Sequence, residues 1–277
     1  MGTFRFVVAD VFTDVPLAGN QLAVFTDARE IPEERLQPLA REINFSETVY
    51  VYPAAEDGHA RIRIFTPNDE LPFAGHPILG TAFVLAGPLQ LDELHLETGR
   101  GVVPVRLERD GPRIAFGWMR QPVTTWETFE RSDELLQILG ATPTGLPLEL
   151  YRQGPGHVLV ELGSPAEVAA LTPDFGTLAR LMSEGAACFA RDGDHWKARV
   201  FVPAYGVAED PATGSAAGPL ALHLARHGRI GFGDEIVIRQ GEEVGRPSTL
   251  HAVARSEDEI EVGGSAVVVA RGEFRLP

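Results

Sequence analysis

Phe65-Thr66-Pro67-Asn68-Asp69-Glu70-Leu71-Pro72-Phe73-Ala74-Gly75-His76-Pro77-Ile78-Leu79-Gly80-Thr81-Ala82 decides the fold, because its plan returns later in the chain. The echo is Phe201-Val202-Pro203-Ala204-Tyr205-Gly206-Val207-Ala208-Glu209-Asp210-Pro211-Ala212-Thr213-Gly214-Ser215-Ala216-Ala217-Gly218. Each runs from an extended Phe-x-Pro through a short acidic loop and Pro-x-x-Gly into an apolar helix. A helix opening on glycine offers unpaired backbone N–H groups and the positive end of a dipole, which suits an anion. Two such openings predict one small acid held between them.

Outward from these stretches, the halves read as a diverged duplication. Leu39-Ala40-Arg41 recurs as Leu178-Ala179-Arg180, and the same offset of 139 relates Gly75 to Gly214, Ala82 to Ala221 and Leu85 to Leu224. Similar halves favour a site at their seam, where pockets are common. Arg120-Gln121-Pro122 marks the passage between them, giving domains 1–121 and 122–277, with the strand near 266–277 able to rejoin the first.

Period-two stretches predict strands at Phe4–Val11, Gln21–Phe25, Phe45–Tyr52, Arg61–Phe65, Leu94–Leu96, Val102–Leu107 and Arg113–Trp118. Further strands are expected at Gly156–Leu162, Ala186–Arg191, Trp196–Val202, Glu235–Gln240, Leu250–Ser256, Glu259–Gly263 and Ala266–Leu276. Helices are expected over Pro32–Ile43, Pro77–Ala86 (ended by Gly87-Pro88), Ser132–Leu139 (capped by Ser132), Asp174–Met182 and Ser215–His227.

Composition removes several classes of function. The 277 residues carry a net charge of −15, which disfavours nucleic acid and fits a soluble cytoplasmic protein. Cys188 is the only cysteine, so no internal disulfide and no cysteine zinc site can form. No apolar run reaches the ~18–20 residues that span a bilayer. Lys197, the only lysine, has no phosphate-binding neighbour to support a Schiff-base cofactor. Walker A and dinucleotide-binding glycine patterns are absent. Chemistry without an organic cofactor is expected.

Few residues remain to carry that chemistry. Alternation along Phe45–Tyr52 sets Glu47 among Phe45, Val49 and Val51, where loss of water raises a carboxyl's pKa toward the range of general acid–base work. At offset 139 stands Ala186, so the second half has no matching carboxylate. His76 follows Gly75 at a helix start, placed to bind an anion or relay a proton. Asp210 either initiates an Asp-Pro turn or orients a polar group of the substrate or His76. Ser215 reads as a helix cap; Thr213 stands where a nucleophile elbow needs glycine, so hydrolase logic fails. His223 and His227 have metal-pair spacing, but Leu224 follows the first where zinc proteases need Glu; no metal site is assigned.

These residues together resemble the phenazine-biosynthesis isomerase (PhzF-like) family, within the diaminopimelate-epimerase-type fold. The resemblance rests on Asp10-Val11-Phe12-Thr13 with Gly19-Asn20, Asn44-Phe45-Ser46-Glu47-Thr48, Leu71-Pro72-Phe73-Ala74-Gly75-His76-Pro77, Glu209-Asp210-Pro211-Ala212-Thr213-Gly214-Ser215-Ala216, and Gln240-Gly241 with Gly245-Arg246-Pro247-Ser248. It implies an α+β fold of two pseudo-symmetric domains, each a curved, mostly antiparallel sheet or barrel around a central helix. It also implies a homodimer, no cofactor, and an active site in the cleft between the domains. By the same resemblance Glu47 is the general acid/base, with His76 and Asp210 beside it as catalytic residues. Asn20, Gly75, Gly214 and Ser215 contact the substrate, although Gln21 replaces the family's usual proline after Gly-Asn.

Epimerases of this fold use a cysteine in each loop. Alignment puts Ala74 and Thr213 there, and neither can act as a base. One acid can take a proton and return it elsewhere on the same face. The expectation is therefore an isomerase moving a proton and double bond on a small cyclic or hydroxylated carboxylate. The alternatives are an epimerase or racemase using Glu47 against Asp210, and a catalytically silent binder of small acids.

Overall fold

The computed structural model describes residues 2–142 and 144–276. The chain forms two compact units, Met1–Arg120 with Gly263–Pro277, and Gln121–Val262.

The first unit runs β1 (Gly2–Val11), β2 (Asn20–Phe25), α1 (Glu33–Ile43), β3 (Glu47–Tyr52), β4 (Ala60–Phe65), β5 (Glu70–Leu71), α2 (Gly75–Leu89), β6 (Glu93–Thr98), β7 (Gly101–Asp110) and β8 (Arg113–Arg120). Its lateral order is the closing strand Ala266–Leu276, then β1, β2, β3, β4, β6, β7 and β8. Pairing is antiparallel except at β2–β3 and β4–β6. Because α2 touches strands from both ends of this order, the sheet curves round it. That location suits its composition: Gly75 through Val84 and Ala86 are all buried, as an all-round apolar helix requires. Gly80 permits the close fit, since a Cβ there would lie 2.6 Å from side-chain carbons of both Leu22 and Val11. On the outer face, α1 buries Leu36, Leu39 and Ala40 over Phe25, Tyr50 and Phe65. Tyr50 stacks on Phe25 at 5.1 Å and donates its hydroxyl to Leu36 O at 2.6 Å.

The second unit repeats this plan. It runs β9 (Thr125–Thr128), α3 (Ser132–Leu139), β10 (Glu149–Arg152), β11 (Gly156–Glu161), α4 (Pro165–Ala170), α5 (Phe175–Leu181), β12 (Gly185–Asp192), β13 (His195–Val202), β14 (Val207–Asp210), α6 (Gly214–Arg226), β15 (Glu235–Gln240) and β16 (Ser248–Ala254). Strand β17 (Ile260–Gly264) follows, and β18 (Ala266–Leu276) is the closing strand of the first unit. Here the order is β9, β10, β11, β12, β13, β15, β16, with parallel pairs at β11–β12 and β13–β15. The short hairpins β4–β5 and β13–β14 also correspond. Helix α6 holds the place of α2 and is buried from Gly214 through Ala225. The duplication read from a few matching residues is thus a duplication of strand order and direction.

Local differences from the expected boundaries have simple causes. Helix α2 passes Gly87-Pro88 and ends at Leu89; a proline so close to the end forfeits one main-chain bond, and one more residue follows. Ser132 does not cap α3 but donates to Phe129 O at 2.6 Å. Strand β3 begins at Glu47 rather than Phe45, because α1 ends on Asn44 in the left-handed region (φ 56°). The short elements β5, β9, β10, β14 and α4 leave no long period in the sequence from which to predict them.

Candidate active site

Four of the sequence-selected residues lie in the first unit. Glu47 opens β3 beside Leu22 of β2, Asn20 opens β2, and Gly75 and His76 open α2. Glu47 Oε2 lies 3.4 Å from His76 Nδ1, and Asn20 Nδ2 lies 3.3 Å from the same nitrogen. The Glu47 side chain keeps 13% of its exposure and His76 only 3%. The carboxyl is therefore shielded yet reachable, while the imidazole is sealed. Burial pushes His76 down to about 3, against the opposing effect of the Gln21 backbone, so the ring is neutral at ordinary pH. A neutral ring places no positive charge of its own beside Glu47.

The remaining residues meet in the second unit. Asp210 ends β14 and accepts a hydrogen bond from Thr213 Oγ1 at 2.6 Å. Gln240 ties this loop from three sides: its Nε2 donates to Asp210 O (2.7 Å) and Thr213 Oγ1 (3.0 Å), and its Oε1 accepts from Thr213 N (3.2 Å). The first bonds of α6 run from Ala216 and Ala217 to Thr213 O. The amides of Gly214 and Ser215 precede them, at the helix's positive end. Ser215 is not the cap. Thr213 holds that position, and Ser215 is the second helical residue, its Oγ 3.0 Å from His157 Nε2. Ala74 and Thr213 cap the two helices, and neither can abstract a carbon-bound proton.

Sequence reading passed over Gln240 as an anchor and His157 as the neighbour of Ser215. Gln240 lies in the Gln240-Gly241 motif, which by itself gives its side chain no role. His157 lies in a mostly apolar, buried strand, and only strand register brings it to the helix start.

Two other candidates resolve differently. His223 and His227 converge on Glu149 of β10, at 3.2 and 3.1 Å from Oε2, and the three donor atoms lie within 4.8 Å. The same oxygen, however, takes Arg226 Nη1 and the Tyr151 hydroxyl, each at 2.7 Å. A divalent cation would have to stand beside that guanidinium, so the cluster reads as a neutralised buried carboxylate. Lys197 is buried and paired with Glu242 and Glu243 at 2.7 and 2.6 Å. Burial opposes its charge, but these bonds outweigh it and hold the ammonium above its ordinary range. It fastens the loop after Gln240 to β13 and offers no free amine.

The buried histidines predict acid sensitivity. Desolvation lowers His76 to about 3 and His157 and His223 to about 4 in the folded chain. All three lie below the unfolded value near 6.5, so the unfolded chain binds the extra protons. Their contribution is complete above about pH 6.5 and lost as pH falls toward 4, at roughly 1–2 kcal/mol per histidine by pH 5. Urea midpoints should fall steeply from pH 7 to 5; a flat profile there would show that these rings charge freely when folded.

The comparisons accord with this picture. A profile of the family described as phenazine biosynthesis-like protein matches residues 9–272. The trans-2,3-dihydro-3-hydroxyanthranilate isomerase of Pseudomonas aeruginosa is 50% identical over 276 residues, covering 98% of this chain and 99% of that protein. A PhzF-family phenazine biosynthesis protein from Bacillus anthracis superposes with a TM-score of 0.87 at 25% identity, covering all of both chains. A hydroxyproline epimerase from Agrobacterium vitis superposes at TM-score 0.69 and 12% identity, covering 98% of this chain and 92% of that one, a likeness of fold alone. The expected epimerase-like α+β architecture therefore holds. No helix among the described residues is long and apolar enough to cross a membrane.

Proposed function

We propose, for a chain that belongs to the phenazine biosynthesis-like protein family and is an isomerase, that its substrate is trans-2,3-dihydro-3-hydroxyanthranilate or a close analogue and that Glu47 moves the proton. The observation that carries this reading is one shielded carboxyl, 3.4 Å from a buried neutral imidazole, at the mouth of a glycine-led helix. Such a ligand is a cyclic carboxylate with saturated ring carbons next to double bonds. The Glu47 carboxylate takes a proton from one saturated carbon, the electron pair moves into the ring, and the same carboxyl returns the proton at the far end of the allylic system. Atoms and charge balance without an oxidant, a reductant or a second base. Unpaired backbone amides at a glycine-led helix start, as at Gly75 in the first unit and at Gly214 and Ser215 in the second, suit a substrate carboxylate. Asn20 fixes the His76 ring against which Glu47 rests, and Asp210 presents a carboxyl whose loop Gln240 and Thr213 fix.

The purified full-length chain, dialysed against chelator, should consume trans-2,3-dihydro-3-hydroxyanthranilate with loss of its diene absorbance. Absence of turnover there, beside an active curated relative as control, would reject this substrate. Family resemblance further supports a cytoplasmic homodimer, which sedimentation and fractionation would test.

A further inference from the structure

We propose that His157 is a positioning residue for Ser215: its Nε2–H donates to Ser215 Oγ and thereby turns the serine hydroxyl hydrogen toward the substrate carboxylate. The inference rests on the reading above, in which Ser215 contacts substrate.

It follows from setting the two units in register. Thr48 pairs with Phe65 across β3–β4, and Ala186 pairs with Phe201 across β12–β13. The two phenylalanines open the repeated stretches, so the counterpart of Glu47 is Gly185, one residue before the Ala186 that a uniform offset of 139 selects. In the parallel pairs, Leu22 lies beside Glu47 and His157 beside Gly185. His76 and Ser215 are each the second residue of their helix. In the first unit, then, a carboxyl on β3 faces the second helical residue at 3.4 Å. In the second unit the polar group has moved one strand over, and an imidazole on β11 faces it at 3.0 Å. Gly185 makes the room: a Cβ there would stand 2.6 Å from His157 Nδ1 and 2.7 Å from Val202 Cγ1.

The proton's place on the ring follows from burial. His157 is 2% exposed, and its Nδ1 has no hydrogen-bond partner among the described residues. A buried N–H left without an acceptor is rarer and costlier than an under-used lone pair. The proton therefore belongs on Nε2, where Ser215 Oγ accepts it. Burial also holds the ring neutral, pushed down to about 4. With Oγ accepting from His157, the hydroxyl donates outward, adding a third donor to the Gly214 and Ser215 amides. Gln153 and Gln121 hold the same helix start from behind, through Ser215 O (3.4 Å) and Gly214 O (2.8 Å). The amide of Gln153 is joined to Gln121 Oε1 at 3.0 Å.

Two readouts test this on the full chain. Imidazole 15N NMR of the wild type should show His157 protonated at Nε2 only, with that resonance shifting in Ser215→Ala; protonation at Nδ1 would overturn the inference whatever the substrate. With trans-2,3-dihydro-3-hydroxyanthranilate, Ser215→Ala and His157→Leu should each raise KM about tenfold, as loss of one bond to a charged group does. Their kcat should change little. The double variant should be no worse than either single one, and His157→Gln, which restores an N–H near that point, should recover most of the loss. Additive effects, or His157→Leu with unchanged KM, would overturn it. A wild type inert toward this compound would reject the substrate reading instead, and the NMR result would still decide the role of His157.

Discussion

Glu47→Gln lowers kcat by about 10²–10⁴-fold, the range expected when a positioned acid–base group is lost, and leaves folding intact. Glutamine keeps the size and a hydrogen-bonding oxygen, so the contact with His76 Nδ1, 3.4 Å away in the parent, has a substitute. What disappears is the ionisable proton. The counterpart position in the second unit is Gly185, and the cap positions of the two helices hold Ala74 and Thr213, none of which can take over as a base. Binding of 3-hydroxyanthranilate, the aromatic counterpart with no saturated ring carbon, should change by less than about threefold, because the proposed carboxylate donors are untouched. Steady-state kinetics and calorimetry on the same preparation check both halves of this expectation. Activity within tenfold of wild type would remove Glu47 from proton transfer.

Gly241→Ala should cost about 3 kcal/mol or more of stability, among the larger effects a single substitution produces, and should loosen the Asp210 loop with it. Gly241 has φ +84°, and an added Cβ would stand 2.3 Å from Arg246 O and 2.5 Å from Pro211 O. Both obstacles are backbone, so neither swings aside as a side-chain tip would. Arg246 N donates to Gly241 O at 2.8 Å, which closes the turn tightly. The residue before it is Gln240, whose amide holds Asp210 O and the N–H and Oγ1 of Thr213. Displacement of Gly241 is thus passed to the α6 start. Gly245→Ala is the matched control. Its φ is +70°, but nothing lies within 4 Å of the new methyl, so only the conformational cost near 1 kcal/mol applies. Equal losses in chemical denaturation would mean that backbone angle, not the close approach, governs this turn.

What the sequence disclosed depended on whether chemistry or register carried the information. The repeated glycine-led helix starts were plain, because a buried helix must be largely apolar on every side, and Phe73-to-Ala86 and Ala212-to-Ala225 carry no charged residue other than histidine. The fold followed from that repetition together with the family motifs. Glu47 also stood out in the sequence, as a carboxyl whose period-two neighbours Phe45, Val49 and Val51 are apolar. Alternation misled in detail, though: Thr48, Val49, Tyr50 and Val51 are all buried, because β3 lies between β2 and β4 with cover on both faces. His157 was hidden for a related reason. Its strand, Gly156–Glu161, is buried almost throughout, so period two says nothing about which way the ring points. Only pairing with Gly185 and proximity to Ser215 give it meaning. His223 and His227 were visible as a spaced pair, but their shared partner Glu149 is 74 residues from the first, and the neutralising Arg226 lies between them on the helix.

The most direct test of single-carboxyl proton transfer is turnover of trans-2,3-dihydro-3-hydroxyanthranilate in deuterated water, with the product read by proton and deuterium NMR. A product with a relocated double bond, its newly saturated carbon carrying the transferred protium or deuterium gained by exchange at Glu47 on the face the proton left, and recovered substrate of unchanged configuration, is the outcome expected of Glu47 working alone. Recovery of the substrate skeleton with its double bonds in place, one stereocentre inverted and deuterium at that centre, would mean two opposed bases and would contradict it.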